Sequence, residues 1–393
     1  MSARPVLLIG TSTRAAAYSC RLAGFQPSAI DRFGDQDLAS LAQQSVVITQ
    51  NAPAEILNAL GTFPGQPVVY LGGLENQPDL IEQVAARNPL WGNQPGTLRQ
   101  VREPFLLAEI LKSQGISVPL LRKNPAELPL NGSWLEKPLA SGGGLGVRVW
   151  DRSAAREPAT EPVVYQARVA GPGFGASFLA DPKDGCTLLG VCRSWQGAPW
   201  GPFVYRASLG PISLSQQRTE ELTRIGSILT QQFGLRGLFG VDLIRDPTGQ
   251  IHVIEVNPRI TASIEVLERA AGQTFFPLHA RAFDKQTAKA PATGSQPSRR
   301  AGKAIIYAQA ACQVPAREST PFDQALRAAQ HPSLENEPSL ADIPWPGTRF
   351  ARGEPVCTVF AQAHSMTRSN QKLRELILIW SQRLASPTWT PSD

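Results

Sequence analysis

Gly240-Val241-Asp242-Leu243-Ile244-Arg245-Asp246-Pro247-Thr248-Gly249-Gln250-Ile251-His252-Val253-Ile254-Glu255-Val256-Asn257-Pro258-Arg259 is the stretch whose reading decides the fold. Asp242 lies in one apolar run and Glu255 and Asn257 in the next, and Asp246-Pro247-Thr248-Gly249 between them is a strong hairpin signal. Residues two apart on a strand share a face, so Glu255 and Asn257 point the same way and the hairpin brings Asp242 opposite them. Three oxygen-bearing side chains then converge.

Oxygen donors of this kind suit a hard cation such as Mg²⁺, which is usually held by one or two carboxylates together with water and substrate phosphates. The plainer reading is that acids at strand ends are simply solvated. Apolar neighbours that would bury all three weigh against it, because an unpaired buried charge is costly.

A second chemical feature lies about a hundred residues upstream, in Trp134-Leu135-Glu136-Lys137-Pro138-Leu139-Ala140-Ser141-Gly142-Gly143-Gly144-Leu145-Gly146-Val147-Arg148-Val149-Trp150. A strand delivers Lys137, and a loop with glycine at 142, 143, 144 and 146 precedes another strand. Such a loop lets backbone N–H groups approach phosphate oxygens, and a nearby ammonium completes the cradle. The lysine precedes the glycines and no GKS or GKT follows, so this is not a Walker loop. By itself it reads equally well as a flexible turn; paired with the acidic hairpin it becomes half of a phosphate clamp.

The first hundred residues alternate strand and helix. Val6 to Ile9, Ser45 to Thr49 and Pro67 to Leu71 read as strands, and Ala15 to Ala23 reads as a helix closed by Gly24. This alternation implies a parallel sheet. The turn Gly10 to Arg14 lacks GxGxxG spacing, so it is a weak nucleotide signal, and Asp31 reads as a strand-end acid rather than a ligand contact. Pro95 to Pro119 reads as helical.

Composition excludes several classes. The chain has 393 residues, 42% apolar and 18% charged, which suits two or three ordinary globular domains. No apolar stretch approaches a membrane span and the first residues lack the features of a signal peptide, so the reading is a cytoplasmic protein with no membrane partner. Five scattered cysteines without CxxC spacing indicate neither a disulfide framework nor a zinc site. A net charge of +6 is spread along the chain, which argues against nucleic acid and suits small anionic substrates. The four histidines form no recognisable set.

The order Glu136-Lys137-Pro138, glycine-rich loop, Val163-Val164-Tyr165-Gln166 leading to Gly171, and then Asp242, Glu255, Asn257 and Arg259 resembles the ATP-grasp superfamily. The resemblance covers nearly all of the chain, and Glu-x-Asn-Pro-Arg is its most specific string. It implies an α/β chain with a Rossmann-like pre-ATP-grasp domain at 1–95, a two-lobed ATP-grasp domain at 96–285, a linker at 286–302 and a small β-rich cap at 303–393. Within the central domain the lid would be 136–150 and the metal hairpin 238–259.

By the same resemblance, ATP and Mg²⁺ (or Mn²⁺) are the cofactors, and Asp242, Glu255 and Asn257 hold the metal. Lys137 contacts the phosphates, and Ser141, Gly142, Gly143, Gly144 and Gly146 fold over them. Tyr165, Gln166 and Ala167 meet the adenine, although the superfamily often has glutamate where Ala167 stands. The earlier phosphate-binding lysine is absent, and Arg99 or, in the reading adopted here, Arg102 takes its place. Lys137 and Arg259 would be catalytic, Arg259 steadying an acylphosphate.

Asp31 to Leu38, Gly73-Leu74-Glu75-Asn76, Asp342 to Gly347 and Gly353 to Val356 further resemble ATP-dependent carboligases related to biotin carboxylase. Biotin carboxylases carry glutamate six positions after the asparagine of the metal motif; here that position is Ser263, and Glu265 comes two residues late. The implied activity is carboxylate–amine ligation through an acylphosphate, with small-molecule acid and amine partners, as in the synthesis of methanofuran- or methanopterin-type C1 carriers. The alternatives are an ATP-dependent carboxylase or phosphoryl transferase, and a non-catalytic ATP-binding regulator. A homo-oligomer is compatible with each. In the tail, Ala304 to Ala308 and Pro355 to Ala361 read as strands, and Leu373, Leu376, Ile377, Trp380 and Leu384 mark one face of a final helix.

Overall fold

A computed structural model of the chain describes residues 4–49, 52–151, 161–284, 299–315, 320–334 and 337–385. The N-terminal part runs β1 (Arg4–Gly10), α1 (Arg14–Leu22), β2 (Phe25–Asp31), α2 (Gln36–Leu41), β3 (Ser45–Val47), α3 (Pro53–Leu60), β4 (Val68–Tyr70), a 3₁₀ turn (Leu74–Asn76) and α4 (Pro78–Ala85). Its sheet is parallel in the order β3-β2-β1-β4, as strand–helix alternation requires. Asp31 at the end of β2 accepts from the Thr13 N–H (2.6 Å), the Thr13 hydroxyl (2.9 Å) and the Phe33 and Gly34 N–H groups (2.8 Å each), so its carboxylate is fully committed to the turn.

Next come α5 (Pro95–Val101), α6 (Pro104–Ser113), β5 (Leu121–Arg122), β6 (Asn131–Pro138), β7 (Arg148–Asp151) and β8 (Val163–Ala167). The four strands form an antiparallel sheet in the order β5-β8-β6-β7. The remainder comprises β9 (Gly173–Asp181), β10 (Gly185–Ala198), β11 (Gly201–Gly210), α7 (Gln216–Phe233), β12 (Gly237–Arg245), β13 (Ile251–Asn257), α8 (Ala262–Ala271), α9 (Phe276–Phe283), β14 (Arg300–Tyr307), β15 (Cys312–Gln313), α10 (Thr320–Gln330), β16 (Leu340–Ala341), β17 (Arg349–Phe350), β18 (Pro355–Ala363) and α11 (Met366–Leu384).

The large sheet runs β13-β12-β9-β10-β11-β14-β18-β16. Alternate residues of β9 decide its two faces. Phe174, Ala176 and Phe178 pack on Leu222, Ile225 and Leu229 of α7, while Leu179 turns to Ile264 and Leu267 of α8. Ser215 caps α7 by accepting from the Arg218 N–H, and Gly234 ends it in the left-handed conformation at φ +65°. Leu373, Trp380 and Leu384 of α11 cover Ala304, Ile306 and Val359, so the apolar stripe read from the sequence is core.

The sequence reading sets a separate cap at 303–393 behind a linker at 286–302. The structure instead begins β14 at Arg300 and runs β14, β18 and β16 into the same sheet as the β12–β13 hairpin. Without β14, β11 would present an open edge. Residues 285–298 lie outside the described residues.

A buried ionic cluster joins the three parts. Arg14, 2% exposed, ion-pairs with Glu265, and its Nε donates to Asp342 Oδ1 at 2.8 Å. Lys303 of β14 donates to the other oxygen of Glu265 at 2.7 Å. Asp37 of α2 accepts from the Asp342 and Ile343 N–H groups at 2.9 Å each. Burial alone would raise the Glu265 pKa, but Arg14, Lys303 and Arg269 outweigh it and hold the carboxyl well below the usual range.

Glu268, one turn along α8, has no cation of this kind. Its Oε1 accepts from the Ser19 hydroxyl and the Phe275 N–H, both at 2.6 Å, and burial pushes its pKa from the ordinary 4.5 up to about 7. A carboxyl with a raised folded-state pKa stabilises the fold below its unfolded pKa, and that contribution is lost as pH rises from about 4.5 through about 7. Glu268→Gln should therefore melt higher than the wild type at pH 8, by on the order of 3 kcal/mol at most, with the gap closing toward pH 5. Thermal melts across that range check it; a gap independent of pH would contradict the argument.

Candidate active site

The hairpin forms as its turn chemistry requires. Asp246 Oδ1 accepts from the Thr248 and Gln250 N–H groups at 2.9 and 3.0 Å, closing the turn between β12 and β13. In the resulting register Asp242 lies opposite Glu255 and Gly240 opposite Asn257. The Asn257 amide donates to Asp242 Oδ2 at 2.9 Å, so the three expected metal-binding side chains are brought together. Apolar neighbours do not bury all three, however. Asp242 opens to solvent, Glu255 is 27% exposed and Asn257 is buried.

The two acids respond differently to their surroundings. Desolvation by the surrounding protein, then the nearby Glu255 carboxylate, push Asp242 from 3.8 up to about 6 even though its tip is wet. Burial opposes ionisation of Glu255 too, but Arg102 and Lys137 outweigh it and hold its pKa below the ordinary value. Two facing carboxylates and one amide oxygen are the donor set a hard divalent cation takes, so these residues fit Mg²⁺.

Arg102, just past α5, is the hub of the site. It ion-pairs with Glu255, donates from Nε and Nη2 to Asn76 Oδ1 at 3.0 and 2.8 Å, and donates from Nη2 to the Ser141 carbonyl at 3.0 Å. Arg99, the other candidate, instead pairs with Asp79 and Glu82 in solvent. Asn76 Nδ2 donates to the same Ser141 carbonyl at 3.2 Å. The first residue of the glycine loop is thereby tied to β13 and to the 3₁₀ turn after β4.

The loop itself docks on β11. Gly143 O accepts from the Tyr205 N–H at 2.9 Å, and Gly144, at φ +79°, passes so close to the strand that a Cβ there would lie 2.0 Å from Phe203 O. Lys137 donates to Gln166 Oε1 at 3.2 Å, placing those two side chains together on the acidic side.

Of the three expected adenine contacts, Gln166 is the one whose side chain meets Lys137. Tyr165 is buried, its ring edge-on to Trp150 and its hydroxyl donating to Glu136 at 3.3 Å. β8 is interior to its sheet, and the Ala167 N–H donates to Leu120 O at 2.8 Å, so this backbone is largely spent on neighbouring strands.

Arg259 follows the hairpin and donates to Glu75 Oε1 at 2.7 Å; its Nη2 lies 3.4 Å from Asn257 Oδ1. Glu75, with a fully buried side chain, also accepts from the Gly73 N–H at 2.7 Å. Sequence reasoning gave Glu75 and Asn76 no role beyond their place in a family-like string. Their position directly after β4, at the carboxyl edge of a parallel sheet where such folds gather ligands, is the signal that could have found them.

Residues 102–263 match the family model described as the ATP-grasp domain. The chain carries an ATP-grasp domain. A curated relative, the carbamoyl phosphate synthase large chain of Pasteurella multocida, is 33% identical over 84 residues, which are 21% of this chain and 8% of that protein. The chain thus spans a small fraction of that relative's length.

Similar folds extend beyond the ATP-grasp domain. An ADP complex of the N5-carboxyaminoimidazole ribonucleotide synthetase purK superposes with a TM-score of 0.70 at 15% identity, covering 97% of this chain and 98% of that one. The L-amino acid ligase of Bacillus licheniformis gives 0.67 at 17%, covering 96% and 97%. Biotin carboxylases share the fold as well. At these identities the likeness concerns the fold, which is the mixed α/β architecture expected from the sequence. Among the described residues, no helix is long and apolar enough to cross a membrane, and all five cysteines are free.

Proposed function

We propose that this protein is an ATP-dependent, ADP-forming ligase that activates a small carboxylic acid as an acylphosphate and passes the acyl group to an amine. The observation that carries this reading is the convergence of Asp242, Glu255 and Asn257 on one face, with Lys137 close enough to lower the pKa of Glu255 and Arg102 bridging to the glycine loop. The similar folds, an ADP complex and an L-amino acid ligase among them, support it.

In this reading a substrate carboxylate oxygen attacks the γ-phosphorus, ADP leaves, the amine attacks the acyl carbon, and phosphate departs while the amine proton passes to solvent. Mg²⁺ held by Asp242, Glu255 and Asn257 would neutralise phosphate charge. Lys137 offsets the charge that develops during phosphoryl transfer, and Arg102 supplies a planar fork where related enzymes have lysine. Arg259, oriented by Glu75, steadies the acylphosphate oxygens. The glycine loop shields the phosphates from water.

Ligation is favoured over biotin-type carboxylation because the position six after Asn257 carries Ser263 and no carboxylate. Ser263 hydrogen-bonds the Cys192 thiol, and Glu265 is held by Arg14 and Lys303. The pathway belongs to the same proposal: the acid is sought among precursors of methanofuran- or methanopterin-type C1 carriers as well as amino acids.

Incubation with Mg·ATP and pools of such acids and amines should raise ADP and phosphate release at least tenfold over ATP alone. ADP formation dependent on bicarbonate alone would replace the ligase reading with a carboxylase, and no turnover with any pool would favour a binding protein. The lid offers a second check. An alanine at Gly144 must hold a left-handed conformation, costing roughly 1–2 kcal/mol, and must also clear Phe203. Gly144→Ala should weaken Mg·ADP binding about tenfold by calorimetry; unchanged affinity would remove the loop from the nucleotide site.

A further inference from the structure

Strands β11 and β14 pair only between Ala207–Gly210 and Ala301–Ala304. Beyond that point β11 stays with β10 and β14 with β18, so the sheet opens as a fork. One hydrogen bond crosses it, from the Tyr307 hydroxyl to the Tyr205 carbonyl at 2.9 Å. The fork lines an open cavity of about 290 Å³. Arg206, Gln309, Arg352 and Ser381 supply its polar lining, and Ile305 and Ile377 its apolar lining.

The two arginines come from different elements, β11 and the turn before β18. That turn is held to β14 by the Gly353 N–H donating to Ala308 O (2.7 Å) and the Ala308 N–H donating to Glu354 O (2.9 Å). Among the described residues neither Arg206 nor Arg352 has an ion-pair or hydrogen-bond partner. Both arginines are exposed, and their guanidinium groups stand at one cavity without an anionic partner among the described residues. Planar forks suit carboxylate or phosphate oxygens, and a mostly polar lining with a short apolar strip from Ile305 and Ile377 suits a small charged molecule.

We propose that this fork binds a small organic anion, a carboxylate or phosphate on an apolar frame, at a site separate from the Lys137–Asp242 cleft. The Tyr205 N–H that holds Gly143 O of the lid is one residue from Arg206, so an occupant lies next to the strand on which the lid docks.

Calorimetric titration of the full chain with succinate in one arm and inorganic phosphate in the other tests this, run with and without Mg·ADP. One equivalent of at least one anion should bind in both conditions, and the arm that responds names the headgroup. Arg206→Ala and Arg352→Ala should each weaken it at least tenfold, and Ser381→Trp, which fills the cavity while leaving both charges, should do the same. Affinity for Mg·ADP, measured separately, should stay within twofold of wild type in all three. If neither anion binds, or if binding is unchanged in the three variants, the proposal falls. Because the titration without nucleotide stands alone, failure of the ligase reading would not be mistaken for failure of this one.

Discussion

Glu265→Ala should cost the protein about 3–5 kcal/mol of folding stability, the range found when one member of a buried ion pair is deleted. The reason is what it leaves behind. Arg14 and Lys303 are 2% and 7% exposed and both lean on the Glu265 carboxylate, so its removal strands Lys303 in a dry junction and takes one of the acids from Arg14. Asp342 still accepts from Arg14, but Lys303 has no other acceptor in this cluster. The effect should appear as a lower urea midpoint at pH 7.

The pH dependence has a definite sign. Because the folded-state pKa of Glu265 is depressed, its contribution is present above the ordinary carboxylate range and lost as pH falls through and below it. The gap between variant and wild type should therefore narrow in acid. A loss under 1 kcal/mol at pH 7 would mean that the junction relaxes or hydrates, and that the cluster is not what locks the N-terminal helix α1 to α8 and β14.

Glu255→Gln should reduce ATP turnover by on the order of a thousandfold, because a metal ion's stabilisation of phosphoryl-transfer charge is worth several kcal/mol. Asp242→Asn should act similarly, since Asp242 stands opposite Glu255 in the hairpin register and shares the same negative field. Glu255 also holds Arg102, so its loss disturbs two things at once. Arg102→Ala separates them: it leaves both carboxylates but removes the guanidinium bonds to the Ser141 carbonyl and Asn76, and should chiefly raise the KM for ATP. Substrate-dependent ADP release at saturating Mg²⁺ is the measurement. Turnover within threefold of wild type in Glu255→Gln would end the metal-site reading.

Much of the site was legible because hairpins are local. Asp246 to Gly249 dictates the turn, and period-two alternation then places Asp242, Glu255 and Asn257 on common ground. Continuous apolar runs marked β1, β4 and β18, and the 3.6-residue spacing of Leu373, Trp380 and Leu384 marked α11 as a core helix. What escaped was non-local or unpatterned. The strands β9, β10 and β11 carry many small residues, such as Gly173, Gly175, Gly190 and Gly197, which blur an apolar period, and they drew no reading although they form the centre of the large sheet. Glu265 was noticed only for being two positions late.

By itself, then, the sequence determined the chemistry that a short stretch can hold: an acid pair and an amide on one hairpin, a lysine ahead of a glycine loop, and parallel strand–helix alternation at the start. Tertiary structure alone decided which distant groups those meet. Arg102 lies 153 positions from Glu255, Glu75 lies 184 from Arg259, and Arg14 lies 251 from Glu265. Periodicity reports how a segment faces its own core, whereas a charge pair across such separations depends on how whole layers dock. That docking also turned the expected cap into three more strands of the sheet that carries the site.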